Sequence, residues 1–210
     1  MSKGRLEAFS DGVFGVAITL LILDVQPEGG ITGWQILMHQ WHHILIYVMS
    51  FVIVGVYWVA HHHMMHFITG ANRGLLWINL VLLLFIVFVP FAAALLSASH
   101  ADSSSIRIYA ANLIAINLTS MVLWWYVTKN RRLVNPAMPG SSIRFVLYLH
   151  SGPVTAYSVA IALASWCSPI SLVLLAVTPA FFILPNPWLE KQIRHALAAT
   201  PEHQKKQEDE

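Results

Sequence analysis

Residues 5–24 read RLEAFSDGVFGVAITLLILD, and the fold turns on how that string is taken. Val13 to Leu23 is uncharged and apolar apart from Thr19, yet it is entered through Arg5, Glu7 and the polar insert Ser10-Asp11-Gly12. An apolar run of this length spans a hydrocarbon core as a helix of about 20 residues. A carboxylate inside such a span costs about 3 kcal/mol on insertion scales unless it is paired or faces a polar path, so Asp11 marks a functional site. A cleaved secretory signal is the competing reading, with Lys3 and Arg5 as its basic region. Glu7 and Asp11 interrupt that pattern, and Leu23-Asp24-Val25-Gln26-Pro27 offers no small-x-small cleavage site, so the segment is expected to be retained.

The rest of the chain is as apolar as this start. Of 210 residues 57% are hydrophobic and 10% charged, and mean hydropathy is +0.62, far from the roughly 25% charge of soluble domains. The protein is therefore read as an all-α, polytopic integral membrane protein. Six windows are long enough to span, at 8–26, 42–62, 74–98, 106–128, 144–165 and 168–186. Pro27-Glu28-Gly29-Gly30 breaks the chain after the first, and 31–43 suits a short interfacial helix. Residues 1–187 form the expected transmembrane domain, and 188–210 a charged tail. The single cysteine, Cys167, excludes an intrachain disulfide and any cysteine-based metal site.

Basic residues set the orientation. With the N-terminus in the cytoplasm, Lys3, Arg5, Arg73, Lys129, Arg131, Arg132, Arg144, Lys191, Arg194, Lys205 and Lys206 fall inside and only Arg107 outside. An even number of spans with both termini cytoplasmic follows. Trp41, Trp77, Trp124, Trp125, Trp166 and Trp188 sit near segment ends, where an aromatic belt anchors helices. No internal repeat is visible, which disfavours an inverted-repeat transporter.

At 100° per residue, Gly12, Val16, Thr19, Leu20 and Leu23 share one stripe of the first helix, and Asp11 points away from it. Spacing alone leaves two readings open: ordinary packing residues with Thr19 bonded to its own i−4 carbonyl, or the wall of a conduit shared by several copies. The string Arg5-x-x-x-Phe9-Ser10-Asp11-Gly12 ahead of an aliphatic helix resembles the first transmembrane helix of the endosomal and lysosomal potassium channel family, the transmembrane protein 175 family, and its bacterial homologues. Trp58-x-x-His61-His62-x-x-x-His66-Phe67 is similar to that family's second-helix signature. The resemblance covers nearly the whole chain. It implies a potassium-preferring cation channel without a P-loop filter, assembled as a homotetramer around four first helices. Val16 would be the aliphatic constriction, Thr19 the hydroxyl layer, and Leu20 and Leu23 further apolar layers. It also implies a bacterial inner membrane location, potassium as the permeant ion, no cofactor, and lipid rather than nucleic acid as surroundings.

The resemblance implies that Arg5, Phe9, Ser10, Asp11, Trp58, His61 and His62 form a network that holds the inner end of the pore helix and couples to gating; a purely structural cap is the other reading of these residues. Asp11 is placed in the first helical turn, where the dipole favours an anion, with Trp58, His61 or His62 as its donor and Arg5 supplying positive charge. Seven of the eleven histidines cluster at 39–43 and 61–66, separated by a helix of about 20 residues and so about 30 Å apart, too far to share one metal. His62 and His66 at i, i+4 fall short of a tetrahedral zinc site, and no metal is expected. A proton or divalent-metal transporter centred on Asp11 and His61 to His66 is the alternative. No nucleophile, base and orienter set is present, so an enzyme is not expected. Asn79, Asn112, Asn117 and Thr119 are taken as packing groups, and Pro90, Pro153 and Pro179 as helix kinks.

Overall fold

In the computed structural model the described residues are 2–25, 32–131, 133–134 and 140–179. They form seven α-helices: α1 (Lys3–Leu20, continued by a 3-10 turn over Leu21–Asp24), α2 (Gly33–His39), α3 (Trp41–His66), α4 (Arg73–Ala98), α5 (Ser103–Thr128), α6 (Gly140–Leu163) and α7 (Ser168–Val177). Among the described residues, five segments are long and apolar enough to cross a membrane: Lys3–Asp24, Trp41–His66, Arg73–Ala98, Ser103–Arg131 and Ile143–Leu163. The expected sixth span, 168–186, is described only through its 10-residue start, α7. Pro179, expected as a kink, lies in a turn directly after the described part of that helix. The expected tail at 188–210 lies outside the described residues.

Local sequence accounts for the helix limits. α1 starts five residues earlier than the expected 8–26 because Lys3 and Glu7 pair at 3.4 Å, an i, i+4 contact that extends the helix outward. Asn72 caps α4 by accepting the Leu75 N–H at 2.9 Å, and Asp102 caps α5 by accepting the Ser105 N–H at 2.8 Å. Pro169 sits in the first turn of α7, where its absent donor costs nothing. Pro90 lies within α4 and Pro153 within α6, as the sequence indicates.

α5 is the packing centre, flanked by α4 and α6; α1 lies against α3 and α4, and α7 against α6. Tyr109, Trp124 and Tyr157 are among the largest fully buried side chains. Trp124 was expected in the aromatic belt, but it is core: its indole N–H donates to the Ile143 carbonyl at 3.0 Å, tying α5 to α6. Trp77 and Trp166 are 69% and 89% exposed on the surface of the subunit.

Two connections on the side of the α3 C-terminus are sewn together. Ile68 and Val134 form an antiparallel bridge, and the Thr69 N–H donates to the Leu133 carbonyl at 2.8 Å. The Tyr126 hydroxyl donates to the Asn72 side chain at 3.2 Å. Gly74 makes this possible, because a Cβ there would collide with the Tyr126 hydroxyl and lie 2.6 Å from its Cζ.

Candidate functional site

The two faces of α1 differ in kind. Leu6, Ser10, Phe14, Ala17 and Leu21 follow the helical repeat and are buried against α3 and α4. Gly12, Val16, Thr19, Leu20 and Leu23, the stripe singled out in the sequence, are all exposed, with Val16 at 55% and Leu23 at 62%. They are not packing residues of the subunit. Ala8, Phe9, Gly12, Val13 and Val16 line a shallow apolar groove closed on one side by Val87 of α4. The Thr19 hydroxyl donates to the Val16 carbonyl at 2.9 Å, an i−3 bond instead of the expected i−4. Its oxygen lone pairs remain free to face a cation.

Asp11 stands eight residues into α1, not in the first turn, so the dipole of the helix start does not hold it. Trp58 of α3 does, donating its indole N–H to Asp11 Oδ1 at 2.8 Å. The other expected donors are engaged elsewhere. His61 Nε2 bonds Asn79 Oδ1 at 2.9 Å, the Asn79 amide donates to Ser10 Oγ at 2.9 Å, and Ser10 donates to the Leu6 carbonyl at 2.9 Å. The His61 ring also lies 5.5 Å from that of Phe14. The exposed His62 packs its ring against Trp58 at 5.9 Å. Arg5 is exposed and makes no ion pair with Asp11; Lys3–Glu7 is the pair at this end of α1. Phe9 is 48% exposed beside the groove.

The expected single network is thus two separate ones. A buried relay, Ser10–Asn79–His61, locks α1 to α4 and α3, while an exposed bond, Asp11–Trp58, ties α1 to α3 alone. Asn79, taken from sequence as packing, is the hub of the first. Its amide within an apolar span was the available signal, since such a group needs partners. At the opposite end of α1, Asp24 Oδ2 lies 3.9 Å from His43 Nδ1, which is also hydrogen-bonded to Ser97 of α4.

The interior of the subunit offers no conduit among the described residues. Its polar groups bond one another, as with Asn117 to the Tyr57 hydroxyl at 2.6 Å and Ser50 with Tyr109 at 2.9 Å. The cavity beside His61, lined by Tyr57, Ser120 and His150 among others, measures about 10 Å³. That is room for about one water. Among the described residues no three His, Cys, Asp or Glu side chains converge to hold a metal ion.

Comparison with known proteins matches residues 5–90 to the family described as endosomal/lysosomal potassium channel TMEM175. A protein described as a potassium channel of Streptomyces collinus is 34% identical over 201 residues, covering 90% of this chain and 96% of the relative. One from a Chryseobacterium species, with the same description, is 37% identical over 124 residues, 59% of this chain and 64% of the relative. The crystal structure of a lysosomal potassium-selective channel TMEM175 homologue from Chamaesiphon minutus superposes with a TM-score of 0.75 at 30% identity, covering 87% of this chain and 96% of that one.

Proposed function

Because this chain belongs to the TMEM175 family of endosomal/lysosomal potassium channels, we propose that α1 is its pore wall, with four copies meeting around a common axis. The protein is a multi-pass, potassium-permeable membrane channel and not an enzyme. Its oligomer is a homotetramer, the closed symmetry that lets one helix face recur around a path for ions. Val16, Leu20 and Leu23 form apolar rings that gate by wetting and dewetting, and Thr19 supplies the single hydroxyl ring that replaces part of a cation's hydration shell. Gly12 widens the mouth above Asp11. Potassium is the permeant ion, and the channel needs no cofactor.

One observation carries this reading. The stripe of Gly12, Val16, Thr19, Leu20 and Leu23 is left uncovered on a helix whose other face is fully packed, while among the described residues the cavity inside the subunit beside His61 holds no more than about one water and forms no path. The glycine and the hydroxyl on that stripe suit a lining better than a face chosen only for lipid. The basic-residue asymmetry supports a bacterial inner membrane orientation with both termini cytoplasmic, which requires the chain beyond Val177 to complete a sixth span.

Potassium flux from proteoliposomes tests the wall directly. Leu20→Asn, which hydrates an apolar ring, raises flux, and Thr19→Ala lowers the preference for potassium over sodium. Unchanged flux and selectivity in both variants would remove α1 from the pore.

A further inference from the structure

The last turns of α3 present a stripe that the pore does not use. Trp58, His62 and His66 follow one another at i, i+4 and i+8, and all three are exposed, while Met64 and Met65 on the other side are buried in the core. The rings of His62 and His66 have their centres 5.3 Å apart. With metal–nitrogen bonds of about 2.0–2.1 Å, two imidazoles sharing one tetrahedral ion bring their ring centres to roughly 5 Å. Histidines at i, i+4 on a helix face form such a pair in helical zinc sites. His63, whose centre is 6.3 Å from that of His62, belongs to a different face.

We propose that His62 and His66 bind a divalent transition-metal ion of the zinc, copper or nickel class, and that the bound ion restrains the pore helix. Imidazole nitrogen selects these metals over magnesium, calcium and potassium. With no third protein ligand among the described residues, water completes the coordination. A shell that open makes the ion exchangeable, a regulator and not a structural part. The route to the pore is short. His62 packs on the indole of Trp58 at 5.9 Å, and that indole donates to Asp11 of α1 at 2.8 Å. An ion that fixes His62 fixes the Trp58 ring beneath it, and with it the carboxylate through which α1 is held to α3. The effect on current rests on the channel reading above; the binding does not.

The test uses the full chain, free of any polyhistidine tag and stripped of metal. Calorimetric titration with zinc alone is expected to show one ion per subunit, with affinity reduced about tenfold or more by His66→Ala and by His62→Ala but not by His63→Ala. In proteoliposomes zinc slows wild-type potassium flux, and the ratio of flux with zinc to flux without it returns to one in His66→Ala. Equal zinc affinity in wild type and His66→Ala overturns the site. Zinc bound at the pair with an unchanged flux ratio overturns the coupling. Wild-type protein that carries no potassium at all defeats the channel reading, and the titration still decides whether the pair binds metal.

Discussion

Trp58 holds Asp11 across 2.8 Å, joining the end of α3 to the third turn of α1 by a charge-assisted hydrogen bond. Both side chains are exposed, so the bond is worth less than the 1.5–3 kcal/mol of a buried example, about 1 kcal/mol after solvent screening. Trp58→Phe removes the donor and keeps a ring against His62. Open probability in planar bilayers is expected to shift about fivefold, the equivalent of that energy, with little change in melting temperature. A shift in melting temperature without any shift in gating would make the bond merely structural.

Asn79→Leu should behave differently, because Ser10, Asn79 and His61 are all buried. Removing the amide leaves His61 Nε2 without its partner and takes the donor away from Ser10 Oγ, which keeps its own bond to the Leu6 carbonyl, a loss of about 1–3 kcal/mol. Thermal unfolding in detergent measures it. Ser10→Ala, which removes both the bond from Asn79 and the one to the Leu6 carbonyl but leaves Asn79 bonded to His61, costs about 1–3 kcal/mol. Because the three residues share one relay, the double variant loses less than the sum of the singles.

The two faces of α1 separate function from stability. Phe14→Ala, on the packed face and 1% exposed, is expected to cost about 3–5 kcal/mol of stability. Val16→Ala, on the open face, leaves the subunit as stable as before and changes conductance. Paired melting and single-channel recordings check both, and a large loss of stability in Val16→Ala would put that side chain in a packed contact.

Asp102 gives a pH dependence with a definite sign. Hydrogen bonds from Ser104 and Ser105 hold its carboxyl well below the usual carboxylate range. A depressed folded value means the cap's contribution is complete above the ordinary aspartate range and is lost as pH falls through the lower, folded value. Asp102→Asn keeps an acceptor for the Ser105 N–H and removes this acid-linked loss, so the difference in melting temperature between variant and wild type narrows at strongly acidic pH. Asp102→Ala loses the cap at every pH.

Much of this was legible in the residues. The spans follow from apolar runs, and the open stripe of α1 from its 100° repeat. Trp58 was among the donors that Asp11 called for. The positions of Asp11 and His61 were less visible. A first turn cannot be fixed from hydropathy when a Lys3–Glu7 pair prolongs the helix beyond the apolar run. His61 was assigned to the nearest charge in the sequence pattern, whereas burial matched it to a neutral amide on α4. Trp124 was misplaced because proximity to a segment end does not say which face of the helix an indole occupies.

The clasp between the α3–α4 and α5–α6 connections divides the subunit into mechanically unequal parts. Backbone bonds at Thr69 and Leu133, with the Ile68–Val134 bridge, weld those loops into a stator, whereas near its N-terminus α1 is joined to its neighbours by side-chain bonds alone. Any strain applied to the assembly is therefore taken up as tilt or roll of α1, the compliant rod, while the welded helices keep their spacing.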